Sequence, residues 1–179
     1  MRHEIRLVGI GGQGLIRAGM ILASAFNGLS LNCAVSEYIS AQVKGGPAKT
    51  DIIVSDKPIY FPKARSVDIL IALHNKTTTM FISELIPNSY IFLDSTYIKE
   101  IPEEFSILSK RIFSKPFAEI AEEEFGSKLY GNTIALAYAC SKCNLLTNEQ
   151  FKAIIPENVA KRFVEKNLKA VDLGFSLEK

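Results

Sequence analysis

The stretch LVGIGGQGLIRAGMILASAF, residues 7–26, passes from an apolar run through closely spaced glycines into a helix-like pattern. Gly9, Gly11 and Gly14 spell G-x-G-x-x-G at a strand-to-helix turn, the spacing associated with dinucleotide pyrophosphates. Glycine at such a turn permits positive φ angles. It also lets a ligand approach backbone N–H groups at the positive end of the helix. The residues alone leave two readings open. Gly11–Gly14 holds a phosphate-bearing ligand or a polar group of a partner, or the turn needs glycine only for close strand–helix packing. Gln13 adds an amide that either a ligand or a neighbouring chain could meet.

Outward from this turn, EIRLVGI reads as a strand and Gly14 to Asn27 as a helix. Leu15, Ile16, Gly19, Met20, Ala23 and Phe26 share one side of that helix, and Asn27-Gly28 stops it. Further strands are expected at LNCAVS (31–36), KTDIIVSD (49–56), VDILIAL (67–73) and SYIFLDS (89–95). The near-continuous apolar run at 67–73 suits a parallel strand covered on both faces. TTTMFISELI (77–86) reads as a helix stopped by Pro87-Asn88, and FSILSKRIFS (105–114) as holding a short strand. FAEIAEEEFG, NTIALAYACSKC, TNEQFKAII and the segment from Glu157 to Phe175 make the C-terminal region helical. Thr147 with Gln150 forms a capping-box signal, and Val159, Phe163, Leu168 and Val171 are expected to be buried. The pattern is that of a three-layer α/β/α domain on a central, mostly parallel sheet, filling residues 1–179 as one unit. The short connection within residues 29–55 leaves room for one or two antiparallel strands.

Composition narrows the functional classes. Lys and Arg number 21 against 19 acidic residues, a net charge of +2. Nucleic-acid binding, which calls for a concentrated basic face, is not expected. No run of 18 uncharged apolar residues or secretory leader pattern occurs, so no membrane span is expected and the cytoplasm is the expected compartment. Cys33, Cys140 and Cys143 are too few for a disulfide scaffold. The CSKC pair has the spacing of half a metal site without the remaining ligands, so no metal is expected. Its plainer reading is two thiols near one face of a helix.

Candidate chemistry is sparse. Glu37, 23 positions beyond Gly14, is the one carboxylate placed to hold ribose hydroxyls in a dinucleotide reading. Lys44 beside Gly45-Gly46-Pro47 suggests a shaped, positively charged surface for phosphate, carboxylate or an acidic protein group; a solvated lysine in a turn is the alternative. Asp51, Asp56, Asp68 and Asp94 fall at strand ends, where caps and turns also favour aspartate. His74 is the best placed acid–base group, but no partner for it can be named. No catalytic set emerges.

Several motifs together resemble the gamma subunit of 2-oxoacid:ferredoxin oxidoreductases. They are GIGGQGLIRAG (9–19), SEYISAQVKGG (36–46), IIVSDKPI (52–59), DILIAL (68–73), YIFLDSTYI (90–98) and GNTIALAYAC (131–140). The resemblance covers nearly the whole chain. It implies a complex that oxidatively decarboxylates a 2-oxoacid to an acyl-coenzyme A and passes electrons to ferredoxin. It further implies that alpha, beta and delta subunits hold the thiamine diphosphate and iron–sulfur clusters, this chain binding no cofactor firmly alone. Gly11, Gly12, Gln13 and Gly14 match the family's G-G-Q-G; Lys44, Gly45 and Gly46 match its basic residue and glycine pair. That basic position is commonly Arg, and Lys44 keeps the charge without the flat guanidinium fork. The motifs are most similar to the 2-oxoglutarate enzymes, with pyruvate, indolepyruvate and branched-chain relatives as alternatives. From the residues alone, a stand-alone Rossmann-like nucleotide-binding protein is the competing reading.

Overall fold

The computed structural model describes residues 1–42 and 45–177. Six strands form one sheet: β1 (Arg2–Ile10), β2 (Asn32–Ile39), β3 (Pro47–Ser55), β4 (Val67–Ala72), β5 (Leu85–Asp94) and β6 (Ile112–Lys115). Their spatial order is β2-β3-β1-β4-β5-β6. β3 alone is reversed, pairing antiparallel with both β1 and β2, while β1, β4, β5 and β6 pair in parallel. A connection as short as that from Ile39 to Pro47 cannot make a parallel crossover, so β3 must turn back beside β2. The sheet is therefore mixed through one strand.

Alternate side chains feed two cores, as the twofold strand period requires. Ile5, Leu7, Ile52, Val54, Ile69, Ile71 and Phe92 face α1 (Leu15–Gly28), α4 (Gly131–Cys143) and the helices around them. Val8, Leu70, Ala72, Ile91 and Leu93 face a lighter layer holding α2 (Glu103–Leu108) and the irregular segment before β5. Burial on both faces accounts for the apolar run at 67–73. The C-terminal region adds α3 (Phe117–Phe125), α5 (Asn148–Ala153), α6 (Ile155–Asn158) and α7 (Lys161–Ser176). Thr147 and Gln150 form both halves of the capping box on α5.

Gly19 lets α1 lie directly on β3: a Cβ there would sit 2.5 Å from Thr50 Cγ2. Three local expectations are corrected. Met20 points to solvent, while Ala18, Ile21 and Leu22 join the buried side, because α1 also packs against α4 and α5. Phe163 is exposed, and Asn167 takes the inward place one turn later. Its Nδ2 donates to the Phe163 carbonyl and its Oδ1 accepts from Thr133 Oγ1, which satisfies the buried amide.

The third correction concerns residues 77–86, which do not form a helix. A 3₁₀ turn, Asn75–Thr77, is followed by turns, and β5 begins at Leu85 and runs through Pro87 and Asn88. β-Branched threonines are poor helix formers that lose rotamer freedom there. Thr77 and Thr78 instead donate their hydroxyls to the His74 carbonyl at 3.1 and 3.0 Å. Leu85 pairs with Val67, and the register shifts before Ile69 pairs with Tyr90.

Candidate functional site

The glycine turn is tied down from inside the chain. Gly14 caps α1 in the left-handed region with φ 71°, and Gly12 has φ 104°. At both positions glycine is required by backbone strain. A Cβ on Gly14 would also lie 2.8 Å from Asn132 Nδ2. Gln13 Oε1 accepts from Ile10 N–H at 2.9 Å, and its Nε2 donates to the Leu73 carbonyl at 2.9 Å. Asn132 Nδ2 donates to the Gln13 carbonyl at 2.7 Å. The Gln13 amide thus links the ends of β1 and β4, and α4 holds the turn from behind. Gly9 makes room for this: a Cβ there would collide with Gln13 Oε1.

The second glycine pair meets the first. Gly11 N–H donates to the Gly46 carbonyl at 2.8 Å, and Gly45 N–H to the Gly11 carbonyl at 3.2 Å. Gly45 has φ 73°. A side chain on Gly46 would strike Ser40 and the Gln42 carbonyl. The two motifs, separated by some thirty positions in sequence, form one surface beyond the ends of β1 and β3. Lys44 lies outside the described residues.

Glu37 is exposed near the end of β2, opposite Thr50. The reversed β3 stands between it and β1, so β2 lies two strand spacings, about 10 Å, from β1. In a dinucleotide fold the ribose-binding acid ends the strand next to β1. Glu37 is not in that place.

A cleft of about 370 Å³ opens beside the glycine turn, lined by Gln13, Leu73, Asp94, Tyr97, Lys128 and Asn132 among others. It sits where connections leave β1 toward one side of the sheet and β4 toward the other. Open α/β sheets bind ligands at such switch points, outside the carboxyl ends of the strands. Asp94 is buried there. Its Oδ1 accepts from Thr96 N–H at 2.9 Å and its Oδ2 from Ala118 N–H at 3.1 Å, so it caps α3. Burial pushes its carboxyl above the ordinary range despite these bonds. His74 stacks on Tyr97 with ring centroids 5.0 Å apart. Burial, and then the charge of Lys76, lowers its pKa. Its Nδ1 accepts from Lys76 N–H, which places the ring proton on Nε2.

The other strand-end aspartates have structural partners. Asp51 takes a two-pronged contact from Arg6 at 2.7 and 2.9 Å, Asp56 pairs with the N-terminal amine, and Asp68 with His3 at 2.6 Å. Cys140 is buried and Cys143 half-buried on α4. Burial pushes the Cys143 thiol up to about 12 and raises the Cys140 thiol as well. Among the described residues no group of three or more His, Cys, Asp or Glu could hold a metal ion. Among the described residues no side-chain hydrogen bond joins a nucleophile to a base. Sequence reading missed Asn132, Tyr97 and Lys128. Asn132 reaches Gln13 across 119 positions, and no local pattern encodes that contact.

Comparison with known proteins decides what such a surface belongs to. The model of the pyruvate ferredoxin/flavodoxin oxidoreductase family matches residues 4–177. The chain belongs to this family. It is 32% identical to the 2-oxoglutarate synthase subunit KorC of Archaeoglobus fulgidus, over 97% of this chain and 87% of the relative. The KorC of Methanocaldococcus jannaschii is 31% identical, over 100% and 95% of the two chains. The gamma subunit of a keto/oxoacid ferredoxin oxidoreductase from Geobacter sulfurreducens superposes with a TM-score of 0.84 at 27% identity, over 98% and 95% of the chains. Some relatives carry this unit within longer chains. The match spans 35% of the ketoisovalerate oxidoreductase subunit VorA from Methanothermobacter thermautotrophicus and 30% of a Magnetococcus marinus 2-oxoglutarate:ferredoxin oxidoreductase chain of the same fold. This family member is a gamma-type subunit of a ferredoxin-dependent 2-oxoacid oxidoreductase. Among its described residues no helix is long and apolar enough to cross a membrane.

Proposed function

We propose that this gamma-type subunit serves a complex that oxidatively decarboxylates 2-oxoglutarate to succinyl-coenzyme A with reduction of ferredoxin. The observation that carries the choice of substrate is the similarity to KorC along the full chain. Four such relatives are 27–32% identical, against 23–26% for indolepyruvate subunits and 24% for the ketoisovalerate subunit. The whole chain, residues 1–179, acts as one domain in the cytoplasm. Its partners are alpha, beta and delta subunits, with ferredoxin as the electron acceptor of the complex. Thiamine diphosphate and iron–sulfur clusters reside in those partners, a reading that rests on membership of this oxidoreductase family.

Within this complex the surface of Gly9, Gly11, Gly12, Gln13, Gly14, Gly45 and Gly46, with Glu37 and Lys44 near it in sequence, contacts a neighbouring subunit or coenzyme A. One feature supports that role: the two glycine loops hydrogen-bond to each other at one end of the sheet. The displaced Glu37 argues against a nicotinamide site.

The substrate is tested on the purified complex by coenzyme A-dependent ferredoxin reduction with 2-oxoglutarate, pyruvate, indolepyruvate and ketoisovalerate in parallel. The expected result is the largest kcat/KM for 2-oxoglutarate. A larger value for any of the others assigns the complex to that acid instead.

A further inference from the structure

The two outer edges of the sheet are built differently. β6 closes one side with only four residues, ends in Lys115, and follows Lys110 and Arg111. Short length and cationic side chains keep an edge from pairing with another chain. β2 closes the other side with eight residues, NCAVSEYI, without proline, lysine or arginine. Its register against β3 is unbroken by a bulge. Its one charge, Glu37, is exposed and forms no ion pair among the described residues.

The phase of the β2–β3 ladder identifies the groups on this edge. Ser40 N–H donates to the Pro47 carbonyl at 3.1 Å. In an antiparallel pair, alternate residues spend both backbone groups on the partner strand, and the residues between turn theirs outward. Tyr38, Ser36 and Ala34 therefore bond β3. Cys33, Val35, Glu37 and Ile39 present N–H and C=O to the outer edge, where no strand pairs among the described residues. Tyr38 and Ile39 are also exposed, and Tyr38 rests edge-to-face on Phe81 at 5.5 Å.

We propose that β2 receives an extended strand from a different subunit of the complex, bonded to these outward groups and carrying Lys or Arg against Glu37. The inference rests on the reading of this chain as a subunit. A second copy pairing β2 with β2 would bring Glu37 no cation, because the strand contains none. In VorA, and in the Magnetococcus chain of the same fold, the matched unit is 35% and 30% of a longer polypeptide. Added strands take affinity from main-chain hydrogen bonds and specificity from side chains at alternate positions.

Proline substitution separates the edge from the ladder, since proline is tolerated in a strand only where its N–H is not used. Val35→Pro removes an outward N–H; Ser36→Pro removes one that β3 uses. The full-length chain is expressed with its complex, and assembly is followed by sedimentation velocity. The isolated Val35→Pro chain is expected to lose only the core packing of its half-buried side chain, a small fall in urea midpoint, yet to bind its partners at least about tenfold more weakly. Ser36→Pro is expected to lower the midpoint itself. Residue-resolved amide exchange on the wild type gives an independent reading. Val35, Glu37 and Ile39 should exchange quickly in the isolated chain and slowly in the complex, with Ser36 and Tyr38 slow in both. Normal assembly of Val35→Pro, or outward amides equally fast in both states, overturns edge pairing while leaving the subunit assignment intact. A homodimer formed through β2 overturns the choice of occupant. A wild-type chain that joins no other subunit overturns both readings.

Discussion

Gln13 hydrogen-bonds the ends of two strands at once, and this is the contact on which the glycine turn depends. Gln13→Ala leaves Ile10 N–H and the Leu73 carbonyl without that partner, a loss of about 1–3 kcal/mol measurable by urea unfolding. Gln13→Glu should recover only part of it, because a carboxylate accepts from Ile10 but cannot donate to Leu73. Glu4 governs acid stability in the same local way. Burial alone would raise its pKa, but N–H donors from Ser66 and Arg65 and the Arg2 guanidinium outweigh it and hold the carboxyl below its ordinary 4.5. The folded value lies below the unfolded one. Its stabilisation is therefore complete above about pH 4.5 and is lost as pH falls through the folded pKa. Unfolding midpoints measured from pH 7 to pH 3 should drop over that window, and less steeply in Glu4→Gln. The glycines and Gln13 were legible in the sequence as a turn that needs close approach. The role of Gln13 as an internal brace was not, because its partners sit 60 and 119 positions away.

At the scale of elements, strands with long apolar runs and helices with explicit caps were the most legible. VDILIAL and SYIFLDS became β4 and β5, and the Thr147–Gln150 box stands at the start of α5. Residues 77–86 were misread because their apolar spacing suits a helix while their threonine hydroxyls bond the backbone instead. That segment is held to the sheet by Arg6, which is 1% exposed. Arg6 binds Asp51 with two nitrogens and donates from Nη1 to both Glu84 and the Phe81 carbonyl. Arg6→Ala leaves the buried Asp51 carboxylate with only Lys49, 3.3 Å away, and should cost about 3 kcal/mol in urea unfolding. A double variant, Arg6→Met with Asp51→Leu, removes both charges and should lie closer to wild type. Equal losses in the two would mean that packing, and not the buried charge of Asp51, dominates at this position.

The topology of the whole molecule separates this chain from a dinucleotide enzyme. One reversed strand between β1 and β2 leaves G-x-G-x-x-G in its usual place and moves the acidic partner away. The fingerprint thus reports the strand-to-helix turn and not the cofactor. The short connection within residues 29–55 made room for an antiparallel strand in the sequence; the convergence of the two glycine loops, which depends on that reversal, was not legible. Calorimetric titration of the purified chain with NADH and NADPH should show no binding tighter than millimolar; micromolar affinity lost in Glu37→Gln would restore the dinucleotide reading. Subunit membership is the central claim, and omission and add-back test it most directly. The complex is prepared without this chain, and 2-oxoglutarate- and coenzyme A-dependent ferredoxin reduction is measured before and after the purified chain is returned. The account predicts little activity without the chain and recovery that saturates at one chain per alpha subunit. Full activity in its absence would contradict it.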